Sequence, residues 1–457
     1  VIALLASAAL LPACRKEHAA GGADSAKARL HEKPATTTTD LALEPARGHT
    51  AVDFEITKLE GVARAQPRKL DAWVRLGQAW IRKARETSDP GFYLNADACV
   101  DRALQIAPDD ALAKNLRGLV FLNAHRFDEA RELARTILDR DPDNPMARGT
   151  SSDALLELGE LDAATEAIQK MVAAKPDLPS YSRLSYLMWL HGDVKNAIDT
   201  MRLAIDAGGG ARDAEPLAWI LVQAAMFFWH QGDYEGADAG FEQALRVVKD
   251  YPPALVGRGR CAMAAGTPDR AAAFFKLAFG RSPLVETAWL LADARTAMND
   301  AAGAEEATRA AEKEGRADPR TLSLMYSVKN RNPARALELA ETESKKRGDL
   351  YTLDALAWAR FRTGKLAEAT SAIERARRLG TKDARLMYHQ GAIYIAIGKT
   401  ADGEKLVTDA LDLNPAFDAT ESKDALRLVA NRGIRGERVA PGPEAEVSPQ
   451  LARSARR

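Results

Sequence analysis

A chain of 457 residues is longer than one compact core supports, so it must be several domains or one elongated array. Apolar residues at 46% and charged residues at 28%, with aromatics at only 6%, describe a soluble chain whose abundant alanine and leucine favour helices. Lys plus Arg and Asp plus Glu each total 64, and without a basic excess or stripe a nucleic-acid partner is disfavoured.

The chain opens with an apolar run, Val1 to Ala13, too short to span a bilayer but matching the apolar segment of an export signal. No Met or basic residue precedes it, so the true start is expected a few residues upstream. The run ends Leu11-Pro12-Ala13-Cys14, which resembles a bacterial lipobox, with Pro12 a departure from that pattern. The resemblance implies a signal peptide over 1–13 and a mature N-terminus at Cys14 that carries acyl chains, two or more of which anchor a protein stably. The other readings are a plain cleaved signal or a cytosolic chain with an apolar start. Residues 14–50, with Gly21-Gly22, a run of threonines at 36–39, Pro34 and Pro45, show little apolar periodicity and read as a flexible tether.

Residues 51–67 read as a capping helix. Beyond them a repeat runs from 68 to 416. Pro108, Pro142 and Pro176 lie 34 residues apart, and twelve residues before each stands Ala96, Ala130 or Ala164. The alanines continue at 197, 237, 271, 304, 336 and 369 and close at Gly403, in steps of 34, 34, 33, 40, 34, 33, 32, 33 and 34. The first unit reads Trp73, Leu76-Gly77, Trp80, Ala96, Ala103 and Pro108; the sixth reads Leu255, Gly259, Ala271, Phe275, Ala278 and Pro283; the tenth reads Met387, Gly391, Tyr394, Gly403, Ala410 and Pro415. This succession resembles the tetratricopeptide repeat family, two antiparallel helices per unit. The resemblance implies an all-α, right-handed superhelical solenoid of about ten antiparallel helix pairs. Small residues let helix backbones approach, and the proline ends the second helix.

The inter-helix turns align as His125-Arg126-Phe127, Gly159-Glu160-Leu161, Gly232-Asp233-Tyr234 and Gly364-Lys365-Leu366. Glycine there suits a left-handed residue that closes the first helix. Units seven and eight lack the glycine and proline landmarks. Unit one carries extra residues around Arg85 to Tyr93, read as a longer loop, and a second loop spans Ala207 to Pro216. Residues 417–432 read as a C-terminal capping helix, since terminal repeats need a polar outer face. The mildly basic tail 433–457 reads as disordered.

No catalytic spacing emerges: the chain has no G-x-x-x-x-G-K-[ST], G-x-S-x-G or H-E-x-x-H, so neither an enzyme, a cofactor nor a metal is expected. Cys99 and Cys261 sit in apolar helical patterns and read as packed thiols. In the family, first helices line a concave groove that takes extended peptides or partner helices. Carried over by register, that groove implies Tyr186, Trp189, Met226, Trp229, Trp358, Arg385 and Tyr388, with Asp354 and His389 beside them. Each of these is also a candidate for core packing. A carboxylate clamp for chaperone tails is absent, with Val74, Gln78, Asn115 and Leu119 at its positions. The architecture resembles bacterial repeat lipoproteins that support outer-membrane protein or pilus assembly. It implies an exported, lipid-anchored, periplasm-facing scaffold that binds a protein or peptide and no nucleic acid; the alternative is a cytoplasmic scaffold or regulator.

Overall fold

The computed structural model describes residues 38–208 and 213–436, with side chains through residue 430. The described residues form helices and no strand. Two helices, α1 (Thr38–Ala42) and α2 (Ala51–Ala65), precede ten antiparallel pairs. Units one to three are α3 (Leu70–Thr87) with α4 (Phe92–Ile106), α5 (Ala111–Asn123) with α6 (Phe127–Leu138), and α7 (Pro145–Leu158) with α8 (Leu161–Ala174). Units four to six are α9 (Leu178–Leu190) with α10 (Val194–Gly208), α11 (Glu215–His230) with α12 (Tyr234–Val247), and α13 (Pro252–Ala264) with α14 (Pro268–Arg281). Units seven and eight are α15 (Val285–Ala297) with α16 (Ala301–Glu314) and α17 (Pro319–Val328) with α18 (Pro333–Glu343). Units nine and ten are α19 (Leu350–Arg362) with α20 (Leu366–Ala376) and α21 (Ala384–Ala396) with α22 (Thr400–Leu413), and α23 (Glu421–Gly436) follows. The pairs wind into a right-handed superhelix.

Local chemistry sets the boundaries. Asp110, Asn144, Asp177, Asp349 and Asp383 cap first helices by accepting hydrogen bonds from amides of the first turn, which satisfies donors the helix cannot. Within units, small residues set the contact distance. Ala96, Ala130, Ala164, Ala197, Ala237, Ala271, Ala336 and Ala369 are all fully buried. In unit ten the two glycines face each other, and a Cβ on Gly403 would stand 2.6 Å from the Gly391 carbonyl oxygen. In unit six a Cβ on Gly259 would stand 2.3 Å from the Phe275 ring.

Three departures from the sequence reading have physical causes. In unit seven Ala304 is only half-buried, and Gly303 and Ala307 pack inward instead, so α16 is turned by about one residue about its axis. The extra residues of unit one mostly lengthen a helix: α3 has 18 residues where α5 has 13, and only Ser88 to Gly91 separate α3 from α4. The third departure concerns the tether expected over 14–50. Its last part is packed: Ala42 is fully buried, and the backbone carbonyls of Leu41, Ala42 and Leu43 accept hydrogen bonds from Asn95, Trp80 and Arg64. Thr50 and Asp53 then form a reciprocal capping box that starts α2, and Asp53 also pairs with buried Lys83 of α3. The signal peptide, Cys14 and the tail from 437 lie outside the described residues.

The two helices of a unit are buried differently. Second helices bury one stripe, as α12 does with Ala237, Phe241 and Ala244. First helices are buried nearly all round: α19 is buried at each residue from Thr352 to Ala359. A helix apolar on every face belongs in a core, so the first helices form a filled inner layer and the second helices an outer one.

Candidate functional site

The sequence points to an open concave groove, and the structure buries most of the residues expected to line it. Trp189, Trp229, Trp358 and Tyr388 are each no more than 4% exposed. Trp189 stacks on Tyr186 at 5.7 Å between ring centroids and meets His230 at 5.0 Å. Trp229 packs on Tyr234. Trp358 lies flat on His389 at 4.0 Å, and Tyr388 leans on Phe417. These four are core residues, a correction to the groove reading, because neighbouring rings and helices cover them. Tyr186, Met226 and Arg385 stay partly exposed. Met226, Trp229 and Arg385 line one small inner cavity of about 80 Å3, and Tyr186 lines another.

The next turn of the superhelix packs against this layer, with Leu350, Tyr351 and Leu379 set against the core of the earlier units. The turn joining the two helices of one unit meets the loop that follows the unit five places on. In unit three the Glu157 carbonyl accepts from the Gly348 amide at 2.9 Å, after unit eight. In unit four the Leu190 carbonyl accepts from Thr381 Oγ1 at 2.5 Å, after unit nine. In unit five the Trp229 carbonyl accepts from Asn414 Nδ2 at 2.8 Å, after unit ten. In unit one the Ser88 carbonyl accepts from Ser282 Oγ at 2.8 Å, after unit six. The superhelix thus closes on itself about every five units along a seam of polar, backbone-rich contacts.

Glycine makes three of these contacts possible. Gly159, Gly192 and Gly232 hold φ of 78°, 74° and 72°, a region costly for other residues. A Cβ on each would stand 2.5, 2.6 and 2.9 Å from the carbonyl oxygen of Gly348, Gly380 and Leu413. Buried charge adds to it: Arg347 pairs with Glu157 across the seam and with Asp349 on its own side at 3.0 Å. His125, at the turn of unit two, lies near Arg347 and Arg320; burial and then those guanidinium groups push it down to about 3.

A second charged cluster fastens α23. His389 is fully buried, with Nδ1 at 2.7 Å from Asp354 and Nε2 at 3.0 Å from Glu421 of α23. Burial works against its charge, but the two carboxylates prevail and raise it to about 9. Arg385 adds contacts to Asp418 at 3.2 Å and Glu421 at 3.7 Å. The sequence places Asp354, Arg385 and His389 in a groove; their acidic partners on and before α23 turn the same residues into a clamp. Glu421 follows Asp418 by three residues, a helix-start spacing, and that was the available signal. The described residues hold no group of His, Cys, Asp and Glu placed to bind a metal ion, and no helix among them is long and apolar enough to cross a membrane.

Family models for the tetratricopeptide repeat match residues 121–185, and residues 89–145 and 223–286. The chain carries tetratricopeptide repeats. The ten-pair array extends the same architecture on either side of the matched segments. No curated protein matches the sequence. Among solved structures the chain is similar to human IFIT1, a dimer with PPP-AAAA, at 14% identity over 82% of this chain and 94% of that one, TM-score 0.46. It is also similar to PilW, titled a widely conserved type IV pilus biogenesis factor, at 18% identity over 45% of this chain and 91% of that one, TM-score 0.37. Such likenesses concern fold alone. Tetratricopeptide repeats point to a protein–protein interaction scaffold.

Proposed function

We propose that this protein is an exported scaffold, held at a membrane by lipid on Cys14, that organises an envelope protein assembly through the outer faces of its second helices. The observation that carries the binding surface is the burial asymmetry: first helices such as α19 are buried over most of their surface, whereas second helices keep one face in solvent. A peptide lying along the axis would have to displace Trp189, Trp229 and Trp358, which are core. The anchor rests on the apolar run and Leu11-Pro12-Ala13-Cys14.

The test is expression of the full gene in a Gram-negative host with a radiolabelled fatty acid. Label in the membrane fraction that disappears with Cys14→Ala supports the anchor. An unlabelled, uncleaved and soluble product overturns it and favours a cytoplasmic scaffold.

A further inference from the structure

The seam encloses a cavity that the scaffold reading does not use. It lies where units three and four meet unit nine, with a volume of about 120 Å3. Leu156, Leu161 and Leu190 line it from the earlier turn, and Leu350, Leu353 and Leu379 from the later one. Tyr186, Ala376 and Thr381 also line it. An apolar cavity of about 150 Å3 takes benzene; this one is somewhat smaller and opens at its mouth, which suits a short alkyl group or a ring seated partly inside it.

Its charged lining is uneven. Glu157 and Asp349 are buried and already bound by Arg347. Arg375 and Arg378 are exposed, and Arg378 reaches across the seam to the Gly159 carbonyl at 3.2 Å. Both arginines line the cavity, so its mouth presents cations while leucines form most of its walls. A neutral apolar guest would leave those cations unused, and an inorganic anion would leave the leucine walls unfilled.

We propose that the seam cavity is a binding site for a small amphipathic carboxylate, its apolar group between the leucines and its anion at Arg375 and Arg378. Because the walls come from units far apart in sequence, the ligand holds the two turns of the superhelix together. It binds the closed seam in preference to an open one, and so shifts the balance toward closure. This does not depend on the anchor or on the partner surface.

Calorimetric titration of the full chain with benzoate, benzyl alcohol and benzylamine tests it, since the three share a ring and differ in charge. Benzoate is expected to bind about tenfold tighter than benzylamine, the scale of one charged hydrogen bond. Arg375→Glu, at an exposed position, is expected to weaken benzoate by a similar factor and leave benzyl alcohol unchanged. Ala376→Leu fills the cavity and is expected to abolish all three, with retained folding checked by circular dichroism. Equal affinity for benzoate and benzylamine, no binding at millimolar concentration, or benzoate binding indifferent to Arg375→Glu would each overturn the proposal.

Discussion

Turns of one sequence type serve two purposes in this molecule. In units three, four and five the turn glycines, Gly159, Gly192 and Gly232, hold positive φ and also press against a backbone carbonyl of the next superhelical turn. In units six, nine and ten the matching glycines, Gly266, Gly364 and Gly398, hold positive φ of 71°, 76° and 87° with nothing within 4 Å of an added Cβ. One local motif is therefore conformational in the back of the array and conformational plus steric in the front. Position along the superhelix, and not the motif, decides what a turn is worth.

The largest effect is expected where the seam holds buried charge. Arg347→Ala leaves the Glu157 and Asp349 carboxylates buried without that cation and should cost about 3–5 kcal/mol in chemical denaturation, the penalty for breaking a buried pair. A loss near 1 kcal/mol would show that the seam is open in solution. The glycines give the sharper test. Alanine at Gly266, Gly364 or Gly398 should cost about 1–2 kcal/mol from the left-handed backbone. At Gly159, Gly192 or Gly232 the clash should add about 1–3 kcal/mol more. Equal losses in the two sets would mean that the front turns touch nothing.

Acidity should separate seam from cap. His389 is raised from 6.5 to about 9, so its contribution is complete below pH 6.5 and is lost as the pH rises through about 9. His125 is lowered from 6.5 to about 3, so its neutral form favours folding above pH 6.5, and that advantage is lost as the pH falls toward 3. Hydrogen exchange should therefore show α23 loosening in alkali and the turn of unit two loosening in acid; the same order of release at both extremes would contradict the charge assignments. The smallest effect belongs to the outer layer. Lys405→Ala removes a solvent-exposed pair with Asp409 on α22 and should change stability by less than about 0.5 kcal/mol.

The sequence made the helix pairs legible because their demands are local. A small residue is needed where two helices of one unit touch, and the alanine ladder from Ala96 to Ala369 records it, slipping only at Ala304, where Gly303 takes the inner place. The seam was not legible, because it follows from a rotation accumulated over five units. Gly159 and Gly364 look alike as letters. A trace does exist: Gly348 and Gly380 occupy loops 189 and 188 residues beyond Gly159 and Gly192, a pairing that has meaning only once the pitch is known. The groove residues misled for the same reason. Trp189 and Trp358 sit on the inward side of first helices, and only the pitch decides whether that side meets solvent or the next turn.

The hydrogen bond between the Trp229 carbonyl and Asn414 has a consequence for how the chain comes to be folded. In an ordinary solenoid each repeat settles as soon as its neighbour exists, so folding can follow synthesis from the first repeat onward. Here the middle of the chain completes its contacts only after its far end has been made. Contacts so far apart in sequence are slow to form and tie the fate of early repeats to late ones. A product that stops short of residue 414 would keep the ten helix pairs but lack α23 and the last rung of the ladder, and that difference would give proteolytic quality control a way to recognise an unfinished chain.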